Sequence, residues 1–102
     1  MSGPDGKNVP LINITWEQFQ TWQRWDEYPE RSDNPPMTVD MTFWYQNKEY
    51  YLDSINHQYA ILSNNWEIIA SNANFLTLLN KPIEQWDNKS FHELIEEMAF
   101  VN

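Results

Sequence analysis

Both glycines of this chain fall within its first six residues, so every tight turn further along must be made by something else. Asparagine is the usual substitute, because it tolerates left-handed backbone and can hydrogen-bond its own main chain. Three asparagine-bearing dipeptides, Asn47-Lys48, Asn56-His57 and Asn64-Asn65, cut the middle of the chain into runs at 38–46, 49–55, 58–63 and 66–70. These runs are rich in aromatic and β-branched residues, the types that fill strands. The pattern predicts a four-stranded antiparallel β-meander over 38–70.

The turns imply a register. A two-residue turn at 47–48 pairs Tyr45 with Tyr50, Trp44 with Tyr51, Phe43 with Leu52 and Thr42 with Asp53. Carried onward, Leu52 meets Ile61, Ile61 meets Ile68, and Tyr59 meets Ala70. Successive side chains of a strand point to opposite faces, so the register sorts them. One face reads Val39, Met41, Phe43, Tyr45, Tyr50, Leu52, Tyr59, Ile61 and Ile68, and is the expected core. The other reads Asp40, Thr42, Trp44, Tyr51, Asp53, Ile55, Leu62 and Ile69. That much apolar surface is not left bare without a reason. Either an N-terminal helix packs over it, giving three α/β/α layers, or it is a docking surface. Packing by the helix is the expectation, since the helix carries rings that also need cover.

That helix is well signalled. Thr15 and Gln18 have the spacing of a capping box, and Ile14 with Phe19 that of a hydrophobic staple. Pro29 forces Tyr28 out of the helical region, so the aromatic helix should occupy 15–28, running to about Glu27. Its rings Trp16, Phe19, Trp22 and Trp25 recur every three residues and spread over a broad arc rather than a stripe. Residues 1–12 read as a flexible lead-in, and 29–37, with three prolines from Pro29 to Pro36, as a loop. A helical part at 72–98 closes the chain. It holds a short helix at 72–80 stopped by Asn80, and a last helix near 91–98 opened by a second capping box, Ser90 with Glu93. The fold class is α+β: one small domain with an N-terminal helix, a four-stranded antiparallel meander and two C-terminal helices. A chain of 102 residues supports one core and no more.

Composition excludes more than it identifies. Six tryptophans and 16% aromatic residues rule out a disordered acidic tail. With no cysteine there are no disulfides, thiolate nucleophiles or cysteine metal sites, which suits a reducing cytoplasm. No apolar run is long enough for a membrane span, and the N-terminus lacks a signal-peptide pattern, so a soluble cytoplasmic protein is expected. Fifteen acidic residues against six basic ones give a net charge of −9. Phosphate backbones are gripped by Lys and Arg clusters, so direct nucleic-acid binding is not expected. The charge keeps a tryptophan-rich chain in solution; it also suits a protein that imitates nucleic acid or seeks a basic partner.

Catalytic patterns are missing. The histidines are His57, in a turn, and His92, in the segment HELIE, where Glu96 stands one helical turn away without the second histidine of a zinc site. No serine occupies a glycine-flanked elbow, no glycine-rich loop can cradle phosphate, and no carboxylate pair stands out. The expectation is a non-enzyme with no catalytic residue, metal or cofactor.

The order of a short meander, LLNKPI, the turn DNKS (87–90) and an acidic closing helix is similar to small uncharacterised proteins of Gram-positive bacteria and their phages or mobile elements. The resemblance covers about 38–100; such proteins often have DGKS, and the aromatic helix at 15–28 is not part of it. It implies an accessory or host–phage conflict setting and no activity. The function expected is that of an acidic protein-interaction module that binds another protein, one with a basic surface, and inhibits or neutralises it as a phage inhibitor or an immunity protein would. The alternatives are a small-molecule or peptide binder with an aromatic pocket between sheet and helix, and a structural subunit of a homo-oligomer. The candidate partner-binding residues are Trp44, Tyr51, Asp40, Asp53 and Leu62, because aromatic anchors ringed by charge are what interfaces use. The protein alone should leave duplex DNA and RNA unshifted at physiological salt, as a gel-shift titration to micromolar protein will show.

Overall fold

A computed structural model describes residues 11–101. The lead-in expected at 1–12 lies outside the described residues as far as position 10. Its last two residues, Leu11–Ile12, form a short strand, β1. Four central strands follow helix α1 (Trp16–Trp22): β2 (Met41–Tyr45), β3 (Lys48–Ile55), β4 (Gln58–Ser63) and β5 (Ile68–Asn72). After α2 (Phe75–Leu79) and α3 (Phe91–Leu94) comes a last strand, β6 (Ala99–Val101). The sheet is six-stranded in the order β1-β6-β2-β3-β4-β5, and all its pairings are antiparallel. The expected meander is present within it. What sequence reading missed is that both chain ends return to extend it beyond β2, through strands too short to announce themselves by pattern.

The first turn sits one residue earlier than expected. Gln46 and Asn47 both adopt positive φ, 52° and 65°, the pair of left-handed residues that a tight hairpin turn requires. Tyr45 therefore pairs with Lys48, Phe43 with Tyr50, Thr42 with Tyr51 and Met41 with Leu52. Moving the turn by one residue slides the register by two, so every side chain keeps its face while its partner changes. At the second turn, Asn56 and His57 are left-handed as expected, and Leu52 pairs with Ile61. The third turn differs. Trp66, not an asparagine, takes the positive φ of 64°, and Ser63 and Glu67 close a longer loop, with Ser63 N–H donating to the Glu67 carbonyl at 2.9 Å. A bulge between Ile61 and Leu62 then pairs Ile61 with Ala70 and Leu62 with Ile68. Ile68, expected in the core, is 54% exposed on the other face, and Ile69 packs at the core margin. Val39, also expected in the core, is exposed because β2 begins only at Met41.

Helix α1 starts as its capping box dictates. The Thr15 hydroxyl accepts from Gln18 N–H at 3.2 Å, and the Gln18 side chain accepts from Thr15 N–H at 2.8 Å. It stops at Trp22, short of the expected Glu27. Arg24 is left-handed at φ 58°, and Trp25–Glu27 continue as a single 3₁₀ turn. The reversal lets Trp25 fold back, edge-on to Trp16 at 5.7 Å and to Phe19 at 5.8 Å. Gln23, at the break, is fully buried. Its Nε2 donates to the Val39 carbonyl at 2.9 Å, while its Oε1 accepts from Thr38 and Val39 N–H at 2.8 and 3.1 Å. The Thr38 hydroxyl donates to the Gln23 carbonyl at 2.7 Å. The loop leading into β2 is thus tied to the end of α1 by one amide side chain.

The helix lies on the same face of the sheet as α2 and α3. Phe19, fully buried, meets Phe75 at 6.2 Å and Phe91 at 5.3 Å; Phe91 in turn meets Phe43 of β2 at 5.3 Å. Trp86 completes this layer edge-on to Tyr50 at 5.3 Å. The expected α/β/α sandwich is therefore not formed: the molecule has two layers, helices on one face only. The ring arc of α1 is satisfied sideways, by its neighbouring helices and by its own chain folding back. Two further expectations shift in detail. The last helix is one turn of α3 continued as 3₁₀ at Ile95–Glu97 before the chain enters β6, and residue 72 belongs to β5 rather than to the helix that Asn74 caps.

Gln23→Ala should cost about 2–4 kcal/mol in a urea melt, because it empties the space of a fully buried side chain and removes three part-buried hydrogen bonds to residues 38 and 39.

Candidate functional site

Helices on one face leave the opposite face of the sheet to itself. Register assembles it. Thr42 lies opposite Tyr51, Tyr51 opposite Leu62, and Leu62 opposite Ile68, a row across four strands that spans about 14 Å. Beside it, Trp44 lies between Ala99 and Glu49. Leu11 and Val101, paired at the far edge, are 49% and 39% exposed. Ala60 and Leu62 are buried at 1% but stand outside the core cluster beneath the helices. Cover for Leu62 comes from its own face. The ring of Tyr51 stacks on Trp66 at 4.6 Å and 16°, and Trp66 remains 63% exposed.

The charges around this apolar strip are of one sign. Register places Glu49 and Asp53 on the face, and Asp40, one residue before β2, in line with Asp53. Glu67 adds a fourth carboxylate in the turn beside Trp66. By register no Lys or Arg of the described strands points to this face, but Lys48, at the β2–β3 turn, lines one open cleft with Trp44, Glu49 and Glu67 at the margin. Two effects follow. The Asp40 carboxyl is pushed above the usual carboxylate range, first by partial burial and then by the negative charge of Asp53. Tyr51 O–H donates to Glu49 Oε1 at 3.0 Å, and that bond raises the Tyr51 phenol above its ordinary value, with burial and the Glu49 charge adding to it. The hydrogen bond also fixes the ring on which Trp66 stacks.

All five residues singled out from sequence belong to this region. Trp44 and Tyr51 are diagonal neighbours rather than the opposed pair expected, since Trp44 faces Glu49. Asp40 and Asp53 flank the strip together. Leu62 is too deeply buried to touch a partner and instead supports the stack above it. Sequence reading missed Trp66 and Ile68, which the longer third turn and the bulge turn outward. The one available signal was that an aromatic residue directly after Asn64-Asn65 had to be either strand or turn.

Other places in the molecule serve structure. His92, half-buried, stacks on Trp16 at 3.7 Å and its Nδ1 is 2.9 Å from Asn80 Oδ1, so the ring joins α1 to α3. Among the described residues no three metal-ligating side chains gather, and no helix is long and apolar enough to cross a membrane. An open cleft of about 460 Å³ runs along α1 between Glu17, Trp25, Tyr28 and Pro35. It is not the sheet-to-helix pocket of the alternative reading, because that space is filled with rings, and the Trp25 indole N–H is already given to the Pro36 carbonyl at 2.8 Å. Comparison with family models, curated proteins and solved structures returned no match.

The Asp40–Asp53 opposition has a measurable sign. A carboxyl whose pKa is raised by folding favours the fold at low pH, and that contribution is lost as pH rises through its raised value. Asp40→Asn should therefore melt above the wild type at pH 7, and the gain should vanish near pH 3, where the wild-type carboxyl is protonated, as paired thermal melts will test.

Proposed function

We propose that the protein is a non-enzymatic interaction module, and that its uncovered sheet face docks a basic surface of another protein and so inhibits or neutralises it. The observation that carries this is the combination on one face: an exposed aromatic stack, aliphatic neighbours and four carboxylates against one cation, Lys48, at the margin. An apolar strip of this kind gains by leaving water, and a ring of like charges gains by meeting opposite ones. Lysine and arginine side chains satisfy both needs, since their stems cover apolar surface and their cations sit well over aromatic faces. Like charges directly across a strand pair cost stability, so Asp40 facing Asp53 is the kind of local sacrifice that interfaces impose.

A basic protein surface in a cell is often one that holds nucleic acid, and a small acidic module covering it would compete with phosphate. That is the phage-inhibitor version, and it draws only on the sequence-level resemblance of 38–100 to small proteins of Gram-positive bacteria and their phages or mobile elements. An immunity protein that covers a toxin's basic site uses the same physics. A cytoplasmic setting suits a chain without cysteine.

The partner is to be isolated by pull-down from the native host and its binding then measured with variants. Trp44→Ala should lose only about 1–2 kcal/mol of stability, less than the 3–5 kcal/mol of a fully buried ring. It should weaken partner binding by about 2 kcal/mol. Reversing the charges of Asp40 and Asp53 should slow association, and added salt should reproduce the effect on the wild type. Unchanged affinity in Trp44→Ala and the charge-reversed variant together would refute the docking face.

A further inference from the structure

We infer that β5 is an open docking edge, which accepts an extended, lysine- or arginine-bearing segment of the partner as a seventh strand, with Trp66 and Ile68 as its side-chain anchors. This rests on the acidic face being the docking surface and adds how the partner engages it. β5 ends the sheet, and its main-chain groups have hydrogen-bond partners only in β4 among the described residues. Natural sheets guard such edges with charge, proline, shortness or a covering segment. The opposite edge is guarded by shortness, since β1 has two residues. β5 has five, Ile-Ile-Ala-Ser-Asn, with neither charge nor proline. The bulge sits at its first residues only, and Ala70, Ser71 and Asn72 keep regular pairing. A strand added here would run for about 17 Å.

Position and charge select the occupant. Ile68, 54% exposed, stands at this margin of the acidic face, where a side chain of an added strand would lie against it. Trp66, 63% exposed and stacked inward on Tyr51, is within reach of a long lysine or arginine side chain from that strand. Glu67 lies between them in sequence, and Asp53 and Glu49 lie further in. A second copy of the chain would set −9 against −9. A basic segment meets the carboxylates with cations, one of which can rest over the Trp66 ring.

The test uses the ¹⁵N-labelled full chain and two end-blocked nine-residue peptides, one alternating lysine with valine and one with proline in place of valine. Both carry the same charge, but only the first can add as a strand. The lysine–valine peptide should shift amides of Ile68–Asn72 and slow hydrogen exchange of the outward ones at least ten-fold, and the lysine–proline peptide should bind at least ten-fold more weakly. Trp66→Asn keeps a residue that accepts the left-handed turn, and with Ile68→Thr it should lower affinity for the lysine–valine peptide about ten-fold while the protein still melts in one cooperative transition and keeps its amide spectrum in β2 and β3. Equal binding of the two peptides, or shifts confined to Trp44, Tyr51 and Asp53, would overturn the edge while leaving the face reading intact. No response anywhere would also overturn the edge, and the partner affinity of Trp44→Ala would still decide the face separately. A dimer of the protein alone in sedimentation, abolished by Ile68→Thr, would give the edge to a second copy and overturn the inference.

Discussion

Phe19 between Phe75 and Phe91 is the contact on which the rest of this structure depends. It draws the N-terminal helix to the face of the sheet already occupied by α2 and α3. A helix joined to β2 by a long loop could have crossed to either side. Two features hold it. The aromatic layer formed by Phe19, Phe75, Phe91 and Phe43 removes a large apolar area from water in one place. The Gln23 amide then fastens the end of the helix to the strand lead at 38 and 39, where its three side-chain bonds would otherwise leave orphaned groups.

Bareness of the second face is the consequence. With no helix over them, Tyr51 and Trp66 are held by their stacking and by the bond from Tyr51 to Glu49, with Trp44 beside Glu49. The Tyr51–Trp66 pair lies over Leu62 without itself being buried. The face is ordered without being covered. Its carboxylates add a small electrostatic tension, centred on Asp40 and Asp53, that a cationic partner would relieve. Helix packing is therefore confined to one side of the sheet, and the proposed docking role falls to the other.

Much of this was legible in advance. Two capping boxes, the asparagine turns at 47 and 56–57, the meander and the parity of β2, β3 and β4 all follow from local chemistry. Such signals need only neighbours a few residues away. The third turn was misread because Trp66, a bulky residue, takes a left-handed conformation that local preference assigns to Asn64 or Asn65. The stack on Tyr51, fifteen positions away, offsets that cost. Likewise α1 was expected to run on to Glu27, yet a contact between Gln23 and Thr38 ended it early.

The amino-acid sequence by itself determined the helix starts, the four central strands, the acidic character and the presence of two apolar faces, because period, turn chemistry and charge act over short distances. The tertiary structure alone decided which face the aromatic helix covers, that the two chain ends add strands β1 and β6, and that Trp66 and Ile68 face outward. Those outcomes rest on which distant rings meet and which buried amide finds its hydrogen-bond partners, and no local pattern encodes a choice between two apolar faces of the same sheet.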